Sequence, residues 1–464
     1  MKPITPFWFK QALANIPMPE IPKLDKNITA DICIVGGGYT GLWTAIKTKQ
    51  QSPNKRIVII EKGLCGQGAS GRNGGCMLTF STKFQSLIRF YGLAEAIRLV
   101  KASEQAVFDI EKFCQNNQID AEVRTHGAIY TATNNQQKTS LCQPLDLLSQ
   151  HKLNQWRCLS PENAAQLTGS DRNLAAIESI AGGSLHPGKL VLGLVKFALS
   201  IGVEIYQKTE YKDMVFGQKP IVKTFAGEIS STKVVFAINA WMGKHFNRFN
   251  RHITLVSSDM IITKPMPEQL DKIGLSHGKA IADSRIFVHY YRTTCDGRLM
   301  LGKGGNMFAY HNNMLPAFDQ PSRFATMLTN AFAQFFPNLE PSFETTWTGA
   351  SDRSTTGLPF FGRLSKESNV FYGLGYSGNG VVQSYLGGEI LSSLALDLDN
   401  EWTRSRMTKG PLGSFPPEPI RYLGANMVKK SVLRKEHAED SEQPAKWFDC
   451  QMAKFAAAAG KADK

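Results

Sequence analysis

The chain has 464 residues, 42% of them hydrophobic and 20% charged, with a net charge of +14. That size and apolar content imply a large core and two or three domains, and exclude disorder away from the ends. The basic residues are spread along the chain without a nucleic-acid-binding motif, so the charge points to an anionic small substrate or a membrane surface.

In chain order, "FWFKQALAN" (7–15) predicts a short amphipathic helix, followed by the proline-spaced linker "IPMPEIPKLD". "ADICIVGGGYTGLWTAIKTKQ" passes from an apolar strand through glycines into a helix, and "KRIVIIEKG" is a second buried strand. Residues 30–62 thus read as a βαβ unit. Helical periodicity follows over 83–118, broken by a glycine and by "CQNNQ", and "AEVRTHGAIYTAT" reads as a strand pair. "GGSLHPGKLVLGLVKFALSIGVEIY" is a loop, a helix and a strand, and "STKVVFAINAW" is a strand buried on both faces.

From about 250 to 345 the strands are short and alternating, as in an antiparallel sheet, in "ITLVSSDMIITKPM", "IFVHYYRTT" and "GRLMLGKGG". Parallel-type elements return at "NVFYGLGYSGNGVVQSYLGGEILSSLALDL", so the nucleotide-binding part is discontinuous, with a β-rich region inserted. The expected division is an N-terminal helix and linker (1–29), a cofactor domain (30–82, 175–245 and 346–400), a substrate domain (83–174 and 246–345) and a helical C-terminal extension (401–464). The final "AAAAGKADK" is expected to fray.

Eight cysteines (Cys33, Cys65, Cys76, Cys114, Cys142, Cys158, Cys295 and Cys450) show no C-x-x-C pair, which predicts free thiols in a reducing compartment. The opening residues have no apolar leader core, and "LVLGLVKFALSIGV", interrupted by Lys196, is too short to span a bilayer. A cytoplasmic location is expected, with peripheral membrane contact left open.

Gly36, Gly38 and Gly41 make a G-x-G-x-x-G pattern between a strand and a helix. The first permits the tight turn, the second lets the backbone approach a pyrophosphate, and the third lets the helix pack close to the sheet. Glu61, at the end of the next strand, is placed to accept from both ribose hydroxyls, which argues against a 2′-phosphate. These residues predict a dinucleotide but do not separate NAD from FAD.

The segment "VGGGYTGLWTA…IIEKGLCGQGASGRNGG", with "VVFAINAW", "YYRTTCDGRLMLG" and "GYSGNGVVQSYLGGEIL", resembles the D-amino-acid-oxidase-like FAD oxidoreductases, which include glycine, sarcosine and γ-glutamylputrescine oxidases. The resemblance implies an α/β fold with a Rossmann-like FAD domain of the glutathione-reductase-2 type and an inserted antiparallel substrate domain. It implies FAD contacts at Gly36, Gly38, Tyr39, Thr40, Gly41, Glu61 and Lys62 in the first motif. Ser70, Arg72, Asn73, Gly74, Gly75, Cys76 and Met77 follow in the second loop. Ala240, Trp241, Gly349, Gly375, Ser377, Gly378, Asn379 and Gly380 complete the set.

By the same resemblance, flavin takes a hydride from a carbon next to nitrogen, and water releases an aldehyde or keto acid. No catalytic side chain and no metal are expected, and O2 or a quinone is the expected electron acceptor. Relatives carry a substrate-carboxylate arginine in W-x-G-x-R-x-x-T-x-D-G-x-P; here "WTGASDRSTTGLPFFG" has Ser351 in that place, Arg353 two positions on, and Thr356 for the Asp. The substrate candidates are Arg353, Tyr290, Arg292, Tyr291 and Ser258, with Asp259 behind them and His289 read as structural. Strand alternation puts Tyr290 and Arg292 on one face and Tyr291 on the other.

"PFWFKQAL", "SDRSTTGLPFFGRL" and the tail "FPPEPIRYLGANMVKKSVLRKEHAED" resemble an aminophosphonate oxidoreductase branch. That implies oxidation of 2-aminoethylphosphonate or its N-alkyl derivatives to phosphonoacetaldehyde. The alternatives are a γ-glutamylputrescine-type oxidase, for which acidic groups near the pocket mouth are expected, a sarcosine- or glycine-type oxidase, and a flavin-binding structural or sensor subunit. Covalent flavin attachment at Cys295 or Cys76 and the oligomeric state are left open.

Overall fold

A computed structural model describes residues 5–153, 155–365, 369–457 and 463. Its first sheet is built outward from Ile28–Val35, which pairs in parallel with Ile57–Ile60 and with Glu228–Phe236, Ile34 lying opposite Ile59 and Val235. Glu204–Tyr206 and Val370–Leu374 extend it in parallel, and Phe360–Arg363 closes one edge antiparallel. The apolar runs are continuous because both faces are covered. Ile32, Ile34, Ile57 and Ile59 meet the helices Tyr39–Gln51 and Gly380–Ala395, whereas Cys33, Val35, Val58 and Ile60 meet Phe236, Phe249 and Phe318.

The second sheet has eight strands in the order Phe343–Ser354, Ile253–Thr263, Leu299–Phe308, His289–Thr293, Ala280–Asp283, Ala128–Ala132, Ala175–Ser179, Trp156–Leu159. Neighbours are antiparallel except Ala280–Asp283 with Ala128–Ala132. Strand Phe343–Ser354 runs across the boundary expected at 345/346, and Ala175–Ser179 also joins this sheet. One face is covered by the helix Ala325–Phe335, against which Tyr291 packs. The other face carries Tyr290 and Met300 toward the glycine-rich loop at 66–75.

Two expectations are corrected. The 121–133 segment forms one strand, Ala128–Ala132, plus an isolated bridge between Arg124 and Ser184, because Gly127 turns the chain at positive φ before the strand begins. Cys142 and Cys158, one preceding the helix Gln143–Gln150 and the other in the strand Trp156–Leu159, form a disulfide with their Cα atoms 6.6 Å apart; Cys33, Cys65, Cys114, Cys295 and Cys450 are free thiols. As expected, the helical stretch breaks at Gly92 and ends within "CQNNQ", the second helix running from Leu93 to Asn116 with Cys114 buried on its inner face.

The helix expected at 7–15 spans Phe7–Asn15 with Trp8 and Phe9 buried. The extension expected to be helical forms one helix over Ile420–Asp440 and a second over Trp447–Ala457. The expected fraying falls mainly on 458–462 and 464, outside the described residues, as do residues 1–4 of the opening segment. Among the described residues no helix is long and apolar enough to cross a membrane.

The two helices over the first sheet meet at Gly388, where an added Cβ would lie 2.6 Å from the Trp43 Cβ and 2.9 Å from its carbonyl carbon. Gly388→Ala gains helix propensity but overpacks this contact, and a net loss of about 1–3 kcal/mol is expected, read as a lower midpoint in chemical denaturation.

Candidate active site

A cavity of about 1130 Å³ opens between the two sheets, larger than the roughly 300–1,000 Å³ typical of a small-ligand pocket. Gly36, Gly38, Tyr39 and Thr40 line it where the helix Tyr39–Gln51 begins. Gly36 has φ +113°, and a Cβ on Gly41 would lie 1.9 Å from the Gly36 carbonyl oxygen. Gly41 therefore serves helix packing and does not face the cavity. Each Glu61 carboxylate oxygen accepts one backbone N–H, from Gly37 and from Gly63, both at 2.9 Å. Each keeps lone-pair capacity for a hydroxyl donor. Burial raises the Glu61 pKa, opposed by those N–H groups. Lys62 and Glu210 stand beside it.

In the second loop, Ser70, Arg72, Asn73, Gly74 and Cys76 line the cavity; Gly75 and Met77 do not. The Ser70 hydroxyl accepts from the Tyr39 N–H at 2.9 Å and so joins this loop to the first motif. Arg72 is buried; it donates to the carbonyls of Gln67 (3.0 Å), Thr348 (3.3 Å) and Phe318 (3.4 Å) and pairs with Asp319 at 3.1 Å. The Trp347 indole donates back to the Arg72 carbonyl at 2.9 Å. Arg72 thus shapes the wall with its backbone and stem, while its head group holds the loop.

Ala240, Trp241 and Gly349 also line the cavity, as do Gly378 and Gly380 at the start of the helix Gly380–Ala395. Gly375, Ser377 and Asn379 lie behind them and shape the turn. Gly375, Ser377 and Gly378 all have positive φ, at 86°, 55° and 86°. The Ser377 hydroxyl accepts from the Ser354 N–H and donates to the Gly375 carbonyl, which offsets the strain of a non-glycine residue there.

Sequence reasoning missed Asp352. It is buried on the cavity wall and accepts from the Gly375 N–H at 2.5 Å and from the Asn239 amide. Its backbone carbonyl accepts the Ser377 N–H at 2.9 Å. Burial pushes its pKa up to about 7, against the lowering effect of those donors. Its only signal in sequence was its place next to the departed arginine position.

The substrate candidates separate. Tyr290 and Ser258 line the cavity with their hydroxyls 2.8 Å apart. The Tyr290 ring lies over Gly74 and Gly302, where added Cβ atoms would lie 2.5 and 2.2 Å from it. Ser351 lines the cavity as well. Arg292 lies off the wall; it donates to the carbonyls of Gly74 (2.6 Å), Leu185 (2.8 Å) and Thr293 (3.1 Å) and stacks over Trp8. Arg353 is buried off the wall, within reach of Gly304. Tyr291 faces the opposite side, bonded to Asn173 and Thr168. Asp259 is a buried hub for Ser257, Asn306, Ser322 and Thr348. His289 is bonded to Asp283 at 2.7 Å. Among the described residues no cluster of three or more His, Cys, Asp or Glu is placed to hold a metal ion.

The residues present fit a dinucleotide. A helix N-terminus and a glycine wall stand between an acidic residue with free acceptor capacity and a second glycine turn. Comparison agrees. The FAD dependent oxidoreductase family model, DAO, matches residues 31–394. The gamma-glutamylputrescine oxidoreductase of Escherichia coli (strain K12) is 27% identical over 80% of this chain and 84% of its own. The glycine oxidase of Geobacillus kaustophilus (strain HTA426) is 24% identical over 78% of this chain and 92% of its own. The crystal structure of glycine oxidase from Geobacillus kaustophilus superposes with a TM-score of 0.66 at 20% identity, covering 82% of this chain and 98% of that one.

Two measurements check these assignments. Arg292→Met leaves three carbonyls without their donor, so a loss of about 2–4 kcal/mol in unfolding free energy and weaker FAD retention are expected, with a substrate KM changed less than about threefold. Asp352 has a folded pKa near 7 against an ordinary value of 3.8, so its stabilising contribution is full below about pH 4 and is lost as pH rises to about 7. Asp352→Asn lacks that contribution at every pH. Its stability relative to the parent is therefore expected to improve by about 2–3 kcal/mol between pH 5 and pH 8, read by denaturant titration at both values.

Proposed function

The chain belongs to the DAO family of FAD-dependent oxidoreductases, acting on amines or amino acids, and from that premise we propose that its substrate is a small aminophosphonate, 2-aminoethylphosphonate or its N-methyl derivative. Bound FAD supplies the acceptor for the hydride of the CH–N bond. Glu61 would hold the ribose, and the N-terminus of the helix Tyr39–Gln51 the pyrophosphate. The Ser70–Gly74 and Gly378–Gly380 segments would line the rest of the cofactor. The buried Trp8–Trp347 pair packs behind the second loop.

The observation that carries the substrate reading is the Tyr290–Ser258 hydroxyl pair on the cavity wall, with Ser351 in place of the relatives' arginine. Hydroxyl donors suit the oxygens of a tetrahedral anion, and the net charge of +14 favours its approach. The resemblance of the tail and of "SDRSTTGLPFFGRL" to the aminophosphonate branch supports the same class. Arg292 and Arg353, off the wall, have no part in it.

A second reading has its own observation. Asp319 and Glu210 line the cavity, and Asp319 is partly exposed. Acidic groups there suit the distal amine of a longer diamine, and a relative oxidises γ-glutamylputrescine by its name.

Anaerobic addition of amines to the purified yellow holoenzyme separates the two. Bleaching of the visible flavin band by the aminophosphonates, with Tyr290→Phe and Ser258→Ala each raising KM about 10-fold or more, is the expected outcome. Bleaching by γ-glutamylputrescine alone would transfer the assignment to the second reading.

A further inference from the structure

The two C-terminal helices take no part in the cavity, and their packing divides each of them in two. Val428 and Val432 of the first helix, with Ala453 and Ala456 of the second, pack against Ile286 and Phe287. Helical spacing puts Ile420, Leu423, Met427, Lys430 and Arg434 on the opposite arc. Ile420 and Leu423 are 60% and 63% exposed, and Trp447 and Phe455 on the second helix are 75% and 74% exposed. Phe448 and Met427 are half exposed beside them. So concentrated an apolar surface is uncommon on a protein with no partner for it.

Charge is sorted across the same helices. Glu436 and Asp449 are buried, Asp449 paired with Arg434 at 2.5 Å. Asp440 is paired with Arg285 at 2.6 Å and with Arg172 at 3.6 Å. Lys430, Lys446 and Lys454 are exposed among the outward apolar groups. The face also begins beside the cavity. Tyr422 packs on Tyr310 with ring centres 5.5 Å apart, and Glu418 accepts the N–H of His311, a lining residue.

We propose that this outward face docks on an anionic lipid surface. Trp447, Phe448 and Phe455 enter the boundary between headgroups and acyl chains, and the lysines keep their stems on the apolar layer and their ammonium groups on lipid phosphate. A second copy of the chain is the poorer occupant, since each carries +14 and the shared face would oppose lysine to lysine. The inference does not depend on which amine is oxidised.

The test is co-sedimentation of the full-chain holoenzyme with vesicles of phosphatidylglycerol and phosphatidylcholine, against phosphatidylcholine alone. Binding to the anionic vesicles is expected, weakened by salt and about tenfold or more weaker to the neutral ones. Trp447→Ser with Phe455→Ser, and separately Lys430→Glu with Lys446→Glu and Lys454→Glu, should each reduce it about tenfold or more, with flavin absorbance and Tm unchanged. No binding to anionic vesicles, binding that survives both sets of substitutions, or a concentration-dependent dimer that the apolar pair dissolves would overturn the proposal.

Discussion

The backbone of residues 66–75 is held from behind by side chains far away in sequence, and the site depends on that clamp. Arg292 donates to the Gly74 and Leu185 carbonyls, and the Trp347 indole to the carbonyl of Arg72. Arg72 in turn donates to Gln67, Phe318 and Thr348. A loop so rich in glycine has high conformational entropy to lose, and carbonyls buried without donors would be costly. Charged donors meet both needs, since their hydrogen bonds are stronger than neutral ones. The loop thereby joins the parallel sheet, through Ser70 and Tyr39, to the antiparallel sheet, through Arg292 and Trp347.

The opening helix belongs to the same construction. Phe7 stacks on Trp347 with ring centres 5.9 Å apart, Trp8 meets Trp347 at 5.7 Å, and Arg292 lies over Trp8 at 4.8 Å. Burial draws the Arg292 pKa down to about 10. The aromatic face and the carbonyl acceptors compensate a guanidinium removed from water. A segment that reads in sequence as a short amphipathic helix is thus the back wall of the cofactor loop.

The parts of the site readable in sequence are those whose chemistry is local. Gly36, Gly38 and Gly41 work through a strand, a turn and a helix that follow one another directly, and Glu61 closes the next strand. Alternation correctly put Tyr290 and Arg292 on one face and Tyr291 on the other. It did not say what stands opposite that face. Arg292 meets the Gly74 carbonyl, whereas Tyr290, two residues earlier, reaches the cavity. Asp352 was unreadable for the same reason. Its partners Asn239 and Gly375 come from two other strand ends, and only the fold assembles them. The helix Trp447–Ala457 falls within the extension read as helical, but nothing in its sequence said that its Trp and Phe residues face outward.

These placements change where charge enters the chemistry. Arg292, expected as an anion ligand, spends its guanidinium on three carbonyls, Arg353 is buried off the cavity wall, and Ser351 stands on it. An anionic group entering this cavity would meet hydroxyls at the Tyr290 end, and its attraction would come from the field of the whole chain rather than from one bidentate contact. A cationic arm would instead meet Asp319, already paired with Arg72 at 3.1 Å, so it would have to compete with a guanidinium that also holds the loop. Drawing Asp319 away would leave a buried arginine with one partner fewer, which is the cost the diamine reading carries. The proposed aminophosphonate reading asks nothing of that clamp, whereas a diamine would have to loosen it.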